Sequence, residues 1–285
     1  MTKVLSGGAL VAGVVGSPIR HSLSPLLHNA WIQATGLDAV YVPFSPHLTG
    51  FKPFAEGMAG GAIRGLNVTA PFKEAALHLA HVATPRAGRA GAANLLLFDR
   101  DGVIRADNTD GEGLLNAFAE QAPGFSPTEG PMVVLGAGGA ARGAVAAFLD
   151  AGAPEVRVVN RSAARGQILA DLLGDRVRVF IQADWVAAMT GAAAVINATP
   201  LGQNGVGTPD IPLEAVAARC VIMDMVYRPL HTGLLKRAAA LGLPIVDGLA
   251  MLIGQARPSF EAFFGKAPPD IDVRALALAH LESRV

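Results

Sequence analysis

Polar side chains able to hold a small ligand occur in three short segments of the first 111 residues. The first segment places Ser22 and Ser24 two positions apart. In an extended chain alternate side chains point the same way, so both hydroxyls can grip one carboxylate or one diol. Ser24 directly before Pro25 is also a good helix N-cap, although capping does not explain Ser22. The pair is a candidate ligand site, and the two roles of Ser24 are compatible.

The second segment contains Asn67, Thr69 and Lys73. Asn67 and Thr69 share a face at the carboxyl end of a predicted strand, where open α/β sheets bind ligands. Lys73 falls in the first turn of the next predicted helix, where the helix dipole prefers anions. A cation in that position indicates a bound partner or a chemical role as readily as a solvated surface lysine.

The third segment, Asp107–Gly111, adds the carboxylate of Asp110, and Asn94 comes from the same strand-and-turn region. Aspartate and asparagine favour turns and caps, so a helix N-cap is a local alternative for Asp110. What is not local is the combination. An ammonium group, a carboxylate, amides and hydroxyls all come at the ends of strands of one small sheet.

A glycine-rich turn follows in the segment Met132–Gly143, between a buried apolar run and an alanine-rich helix. Gly136, Gly138 and Ala141 match the pattern G-x-G-x-x-G/A. Such a turn brings bare backbone N–H groups and the positive end of a helix against a phosphate. The pattern alone is weak evidence, because glycine turns between strands and helices also occur for packing reasons.

The next predicted strand strengthens the dinucleotide interpretation, because it ends in Asn160, Arg161 and Ser162. In an NAD site an acidic residue about 20 residues after the turn binds the ribose 2′-hydroxyl, whereas an arginine suits a 2′-phosphate. Arg161 stands at this point, with Arg165 one helical turn further on. The sequence therefore predicts NADP(H) rather than NAD(H).

Alternating strands and helices must position these groups, and they predict βαβ units with mostly parallel sheets. The predicted strands are Leu10–Val15, Ala39–Phe44, Ile63–Val68, Asn94–Phe98, Val103–Ala106, Val133–Leu135, Val156–Val159, Val177–Ile181, Ala194–Asn197, Val221–Met225 and Pro244–Val246. The predicted helices include Pro25–Thr35, Gly50–Ala59, Pro71–His81, Gly113–Ala119, Leu249–Phe264 and Arg274–Glu282. The proline- and glycine-rich segment Gln121–Pro131 is the best candidate for a linker between domains.

Composition excludes several classes of partner. Lys plus Arg equal Asp plus Glu at 23 each, and no basic run or stripe occurs, which argues against nucleic acid and membrane surfaces.

The single cysteine, Cys220, indicates a buried small apolar residue and a reducing compartment. Leu10–Val15 is too short to span a membrane and favours a strand over a signal peptide. These features predict a cytoplasmic protein. No metal-ligand spacing occurs, so we expect no metal site.

Eight motifs, in order from Gly16 to Gln255, resemble those of shikimate dehydrogenases. They are S-x-S-P, N-V-T-x-P-F-K-E, G-A-x-N, D-N-T-D-G, G-A-G-G-A-x-R, N-R-[ST]-x-x-R, I-N-A-T-P and D-G-L-x-M-L-x-x-Q-A. The resemblance implies an α/β protein with an N-terminal α/β substrate domain and a Rossmann-type, doubly wound NADP-binding domain. We expect the substrate domain at residues 1–112, completed by C-terminal helices in 249–285, and the NADP-binding domain at 113–248.

The resemblance also implies a role for each motif residue. Ser22 and Ser24 would hold the substrate carboxylate, and Tyr227 would close over the substrate. The residues implied to contact the ring oxygens are Asn67, Thr69, Asn94, Asp110 and Gln255. Those implied to hold NADP(H) are Gly136, Ala137, Gly138, Gly139 and Ala140 at the pyrophosphate, Asn160, Arg161, Ser162 and Arg165 at the adenosine phosphate, and Thr199, Met225 and Gly248 at the nicotinamide end.

The implied reaction is the reversible, NADPH-dependent reduction of 3-dehydroshikimate to shikimate in chorismate and aromatic amino acid biosynthesis. An ammonium group at Lys73 can donate a proton or a hydrogen bond to the developing alkoxide, and Asp110 would fix its position. Whether Lys73 shuttles the proton or only anchors the substrate is left open.

Two alternatives to this function are kept. One is a quinate or aminoshikimate dehydrogenase of the same family, with NAD as an alternative cofactor. The other is a non-catalytic NADP-binding sensor, against which the intact set of Ser22, Ser24, Lys73 and Asp110 argues, because binding NADP needs none of them. The small-molecule substrate is the expected partner, and the oligomeric state is left open, with a homodimer as one alternative.

Overall fold

The computed structural model describes residues 4–283 and divides them into two compact units. The first unit takes the described residues up to Thr109 and those from Gln255 onward, and the second takes Asp110–Gly254. The chain passes from one unit to the other at Thr109–Asp110 and again at Gly254–Gln255.

The first unit is built on a mixed sheet. In the described residues its strands are β1 (Leu10–Val15), β2 (Ala39–Phe44), β3 (Ile63–Val68), β4 (Val82–Ala83), β5 (Leu95–Phe98) and β6 (Ile104–Asp107), in the order β2-β1-β3-β5-β6-β4. β1 pairs in parallel with β2 and β3, whereas β5 is antiparallel to β3 and β6. The short turn around Gly102 explains the β5–β6 hairpin, since parallel neighbours need a longer crossover.

Helices cover the sheet of the first unit. They are α1 (Ser24–Thr35), α2 (Phe51–Glu56), α3 (Lys73–Leu79), α4 (Pro85–Ala90), α11 (Val273–Glu282) and the part of α10 (Gly248–Phe264) from Gln255 onward. One core cluster beneath them contains Val15, Leu66, Phe72 and Leu96, all buried. The strand that carries Asn67 and the one that follows Asn94 therefore rest on a packed interior.

The second unit is a doubly wound parallel sheet. Its strands are β7 (Met132–Leu135), β8 (Val156–Val159), β9 (Val177–Phe180), β10 (Ala194–Asn197), β11 (Val221–Asp224) and β12 (Ile245–Asp247). They are ordered β12-β11-β10-β7-β8-β9, and every neighbouring pair is parallel. Read from the other edge this is the order 3-2-1-4-5-6 of dinucleotide-binding sheets, whose switch point lies between β7 and β10.

The helices of the second unit lie between these strands or flank the sheet in sequence. They are α5 (Asp110–Gln121), α6 (Gly139–Asp150), α7 (Ala163–Leu173), α8 (Trp185–Met189), α9 (Gly233–Ala240) and the first residues of α10. The predicted fold class, an α/β protein with a Rossmann-type unit, is confirmed. Within residues 4–283, no helix is both long enough and apolar enough to cross a bilayer.

The sequence predicts the strands closely and the junction between units less well. Each predicted strand lies within one residue of an observed one, whereas the two-residue, exposed β4 has no predicted counterpart. The linker candidate Gln121–Pro131 lies inside the second unit. Its composition is misleading because side chains anchor it: the amide of Gln121 bonds to Asp247, and Phe125 packs on Phe118 at 4.6 Å between ring centroids.

Candidate active site

The two serines of the first motif differ in their local hydrogen bonding. Ser24 is the first residue of α1 and is buried, but the helix start has no side-chain cap. The Oγ of Ser22 instead accepts the backbone N–H of Ser24 at 3.3 Å. The expected cap by Ser24 is therefore wrong, and the local hydrogen bond belongs to Ser22, which is half-buried.

Asn67 is the centre of a buried hydrogen-bond network in the first unit. Its Oδ1 accepts the hydroxyl of Tyr41 at 2.8 Å. Its Nδ2 donates to the backbone oxygen of Asn94 at 3.2 Å and to the Oγ of Ser259 at 2.8 Å. Burial raises the pKa of Tyr41 well above its usual range, so its hydroxyl stays a donor. Both amide hydrogens of Asn67 are used within the protein, and one acceptor lone pair remains.

The same network joins Asn94 to Gln255, which is 161 residues away in the chain. The Nδ2 of Asn94 donates to the Oγ1 of Thr109 at 2.9 Å and to the Oε1 of Gln255 at 3.2 Å. Its Oδ1 accepts the backbone N–H of Thr109 at 2.8 Å, and the Thr109 hydroxyl donates to the backbone oxygen of Gln255 at 3.0 Å. The structure thus brings together two of the predicted substrate contacts.

Sequence reasoning passed over Thr109 and Ser259, although both are fully buried members of this network. Signals for both exist in the sequence. Thr109 stands inside D-N-T-D-G, directly before the singled-out Asp110. Ser259 lies four residues after Gln255, which places the two on one helix face, and its hydroxyl donates to the Gln255 backbone oxygen at 3.1 Å.

Thr69 and Lys73 follow shortly after β3 in the chain. The methyl group of Thr69 faces Gly16, where an added Cβ would overlap it, so β1 and the end of β3 approach closely here. Lys73 is the first residue of α3 and is half-buried. Its backbone oxygen accepts the N–H of Ala93 at 2.8 Å, which ties the start of α3 to the residue before Asn94.

Asp107 is a structural member of the third segment. Arg86 donates from Nε to its Oδ1 and from Nη2 to its Oδ2, both at 2.6 Å, and the hydroxyl of Thr84 donates to Oδ1 at 2.6 Å. Burial alone would raise the pKa of Asp107, but these hydrogen bonds and the charge of Arg86 outweigh it and lower that pKa. Asp110 belongs to the second unit, where it opens α5 and is buried.

In the second unit the glycine turn offers open backbone at the start of α6. Gly136 adopts φ +115°, and an added Cβ there would meet Thr199 and Ala198. Gly138 precedes α6 without a side-chain cap, and no atom lies within 4 Å of the position of its missing Cβ. The first turn of α6, which begins with Gly139 and Ala140, holds no acidic residue. Exposed N–H groups at a helix start fit the pyrophosphate of a dinucleotide.

Two exposed cations lie at the end of β8. Arg161 and Arg165 are exposed, and within residues 4–283 neither has a hydrogen-bond or ion-pair partner. The side chain of Asn160 donates to the backbone oxygen of Ser162 at 2.9 Å, which shapes the turn into α7. Ser162 precedes α7 without forming a side-chain cap. Such unpaired guanidinium groups suit a phosphate monoester.

The carboxyl ends of β10, β11 and β12 carry the remaining predicted cofactor contacts. The hydroxyl of Thr199 donates to the Oδ1 of Asn197 at 2.7 Å. An added Cβ at Gly248 would overlap the backbone oxygen of Met225, so the two backbones are in contact. Tyr227 is half-buried, two residues after Met225.

Asp247, which sequence reasoning did not single out, fixes the start of α10. Its Oδ1 accepts the N–H groups of Leu249 and Ala250, each at 3.0 Å, and its Oδ2 accepts the amide of Gln121 at 3.0 Å. No cluster of three or more potential metal ligands occurs in the described part of the chain.

Comparisons with known proteins agree with this geometry. The family model for the shikimate dehydrogenase substrate binding domain matches residues 14–96, and the model for shikimate / quinate 5-dehydrogenase matches residues 119–211. A shikimate dehydrogenase (NADP(+)) from Caulobacter vibrioides is 56% identical over 279 residues, which cover 98% of each chain.

Solved structures extend the comparison to the fold. Shikimate 5-dehydrogenase from Thermus thermophilus, in complex with NADP(H) and shikimate, is 34% identical with a TM-score of 0.82, covering 96% of this chain and 99% of that one. Quinate dehydrogenase from Corynebacterium glutamicum, in complex with NAD, is 26% identical with a TM-score of 0.85, covering 97% and 99%. The chain described here therefore belongs to the shikimate dehydrogenase family.

Proposed function

We propose that this chain catalyses the NADP-dependent, reversible reduction of 3-dehydroshikimate to shikimate, a step of aromatic amino acid biosynthesis. The observation that carries the proposal is the buried network that joins Asn67, Asn94 and Gln255. These amides come from β3, from the start of β5 and from α10, and no local rule of folding requires them to meet. Preorganised amides of this kind suit a polyhydroxylated ring, whose oxygens need several donors and acceptors at fixed positions.

In this proposal the substrate contacts are those that the motifs imply. Ser22 and Ser24 hold its carboxylate, and Thr69, Asn94, Asp110 and Gln255 contact its ring oxygens. Asn67 has already used both amide hydrogens, so it offers one carbonyl lone pair to the substrate and otherwise orients Asn94. Tyr227 closes over the ring.

The chemical step needs a charged group at the reacting oxygen. NADPH, when bound, supplies the hydride. Lys73 places an ammonium group at the start of α3, from which it donates a proton or a hydrogen bond to the oxygen as negative charge develops there. The carboxylate of Asp110 assists by orienting the donor.

The second unit binds NADP(H) in this proposal. The turn from Gly136 to Ala140 holds the pyrophosphate through backbone N–H groups. Asn160, Arg161, Ser162 and Arg165 hold the 2′-phosphate, and two exposed, unpaired guanidiniums in the described structure support this assignment. Thr199, Met225 and Gly248 line the nicotinamide end.

One observation favours a second candidate, a dehydrogenase acting on quinate. The quinate dehydrogenase solved with NAD is as similar in fold as the shikimate enzymes. Arg161 and Arg165 argue against NAD as the preferred cofactor, since NAD has no 2′-phosphate to pair with them. A homodimer, the absence of a nucleic-acid partner and a cytoplasmic location stay predictions of the sequence.

The experiment that tests the proposal is shikimate oxidation followed by cofactor absorbance, with NADP+ and NAD+ in parallel and quinate as the second substrate. We expect the highest kcat/KM with shikimate and NADP+. A higher kcat/KM with quinate or with NAD+ would assign the other branch of the family. Binding of NADP+ without turnover of either substrate would support the sensor and contradict the proposal.

A further inference from the structure

The second unit contains a buried carboxylate that no cation of the described chain neutralises. Asp224, the last residue of β11, is 0% exposed. Its Oδ2 accepts the hydroxyl of Thr232 at 2.6 Å, and its Oδ1 accepts the N–H of Val226 at 3.0 Å and the amide of Asn197 at 2.9 Å. Burial raises the pKa of Asp224, although these three hydrogen bonds oppose the shift.

Such a group is an expensive way to stabilise a fold. Removing a carboxylate from water costs several kcal/mol, and neutral donors compensate this only in part. An apolar residue at the end of a central strand would avoid the cost. The position of Asp224 among loops therefore points to a role other than stability.

The first loop that Asp224 controls follows β10. Asn197 stands opposite Asp224 in the parallel register, and its Nδ2 donates both to Asp224 and to the backbone oxygen of Leu201 at 2.9 Å. Its Oδ1 accepts the hydroxyl of Thr199 at 2.7 Å and the Thr199 N–H at 3.1 Å. Asp224 thus orients the amide that holds both polar groups of Thr199.

The second loop joins β11 to α9 and is held near both of its ends. The bond from the Val226 N–H to Asp224 fixes the turn that begins at Met225. Thr232, also fully buried, uses one hydroxyl twice, since it donates to Asp224 and accepts the N–H of Leu235 at 3.3 Å as the cap of α9. One carboxylate therefore holds three segments at the carboxyl edge of the sheet.

We propose that Asp224, itself held by Thr232 and acting through Asn197 and the Val226 N–H, is a positioning residue that fixes Thr199 and Met225 for binding of the nicotinamide end of NADP(H). The inference rests on the proposed function only for the identity of that end. Groups that touch a ligand are held within narrow tolerances by hydrogen bonds from a layer behind them, and this carboxylate supplies that layer for two loops at once.

The test compares Asp224→Asn, Thr232→Val and Thr232→Ser in the full chain. Asn at 224 keeps the shape but loses the charge that strengthens both Oδ1 contacts, and its Nδ2 cannot accept the Thr232 hydroxyl as Oδ2 does. Cys220→Ser is the matched control, because Cys220 is fully buried directly before the opposite end of the same strand. The measurements are the Kd for NADP+ without substrate, hydrogen exchange of the Thr199 and Val226 amides, and unfolding in urea.

We expect Asp224→Asn to raise the Kd for NADP+ about tenfold, a loss of about 1.4 kcal/mol, and to speed exchange of both amides. Thr232→Val should act in the same direction, and Thr232→Ser should stay near wild type. Cys220→Ser should lower stability without changing the Kd.

Unchanged Kd values in Asp224→Asn and Thr232→Val, with stability lowered as in the control, would overturn the proposal. If Asp224→Asn does not fold, the same judgement rests on Thr232→Val against Thr232→Ser. NADP+ binding by a wild-type chain that does not oxidise shikimate would refute the proposed function and leave the positioning role standing. A wild-type chain that does not bind NADP+ would refute both.

Discussion

The two candidate binding regions are built in opposite ways. In the first unit the predicted contacts are side chains that bond to one another, as Asn94 does to Thr109 and Gln255 in the interior. In the second unit the predicted phosphate contacts are a bare glycine turn and the exposed guanidiniums of Arg161 and Arg165. A network of buried amides fixes a few polar atoms before a ligand arrives, whereas backbone N–H groups and surface cations attract an anion without such support.

The contrast between the buried network and the exposed phosphate contacts shows where stability and binding are coupled. Each network member in the first unit is a buried polar group, so removing one partner leaves another unsatisfied, at a cost of about 1–3 kcal/mol. An exposed arginine with no protein partner carries no such cost. Substitutions in the buried network should therefore affect folding and binding together, whereas substitutions of the exposed arginines in the second unit should affect binding alone.

The substitution with the largest expected effect replaces Lys73, the proposed proton donor of the first unit. Lys73→Met should lower kcat by about 10²–10⁴, because a positioned proton donor contributes that much. The Kd for shikimate should stay within a few-fold of wild type if Lys73 transfers the proton. The control is Lys52→Met, since Lys52 is exposed and pairs with Glu56 at 3.6 Å on α2. A loss of shikimate binding in Lys73→Met with little change in kcat would instead make Lys73 an electrostatic anchor.

The second prediction concerns the aromatic support behind the first-unit network. His28 is fully buried and stacks on Tyr41 with ring centroids 4.0 Å apart, and Tyr41 in turn bonds Asn67. Burial lowers the pKa of His28 from 6.5 to about 3. The unfolded chain takes up a proton below pH 6.5 while the folded chain does not, so stability falls as the pH drops from 6.5 toward 3. The loss at pH 4.5 should be about 2–3 kcal/mol.

Urea unfolding at pH 7 and pH 4.5 measures this loss. His28→Phe keeps an aromatic ring at the stack and should remove most of the pH-dependent part. His78→Gln, at an exposed position on α3, should behave as wild type. Equal pH dependence in wild type and His28→Phe would mean that another group is responsible.

Local patterns explain why so much of the fold is predictable from the sequence. β1, β2 and β3 follow from apolar runs with the length of buried strands, and the glycine turn before α6 follows from spacing alone. The eight motifs also name most candidate site residues, because each motif lies within one turn or one helix start. Features that lie within a short stretch of the chain can therefore be predicted from the sequence.

The contacts that hold the site together are not contained in such windows. The bond between Asn67 and Ser259 joins residues 192 apart, and that between Asn197 and Asp224 depends on two strands being neighbours in register. Which of Ser22 and Ser24 accepts a local backbone hydrogen bond depends on the direction of a hydroxyl, which spacing does not determine. Tertiary packing decides all three.

The third prediction concerns the exposed Arg161 of the second unit and the cofactor that it selects. Arg161→Ala should weaken NADP+ binding about 10- to 100-fold, because a hydrogen bond to a charged group contributes about 1.5–3 kcal/mol. NAD+ binding and urea stability should stay near wild type, since the guanidinium has no protein partner in residues 4–283. Arg178→Ala is the control, being an exposed arginine of the same unit that pairs with Glu155 at 2.9 Å. An equal loss for NAD+ and NADP+ would show that Arg161 does not read the 2′-phosphate.

The smallest expected effect separates folding from binding within one turn. Gly138 has φ −86° and open space around its missing Cβ, so Gly138→Ala should leave urea stability unchanged. The added methyl group would project where a phosphate approaches the backbone and should weaken NADP+ binding by roughly a few-fold. Gly136, two residues earlier, has φ +115° and lies against Thr199 and Ala198. Gly136→Ala should therefore lower stability by about 1–3 kcal/mol.

The same substitution thus has two outcomes at positions two residues apart, because one glycine is required by the fold and the other by the ligand. Urea unfolding and NADP+ titration on both variants measure the split. If Gly138→Ala binds NADP+ as wild type does, the phosphate does not approach this backbone, and the contrast between a preformed amide network and an open phosphate cradle would have to be redrawn. If Gly138→Ala loses stability instead, the turn is packed on that side and the cradle lies elsewhere on the carboxyl edge of the sheet.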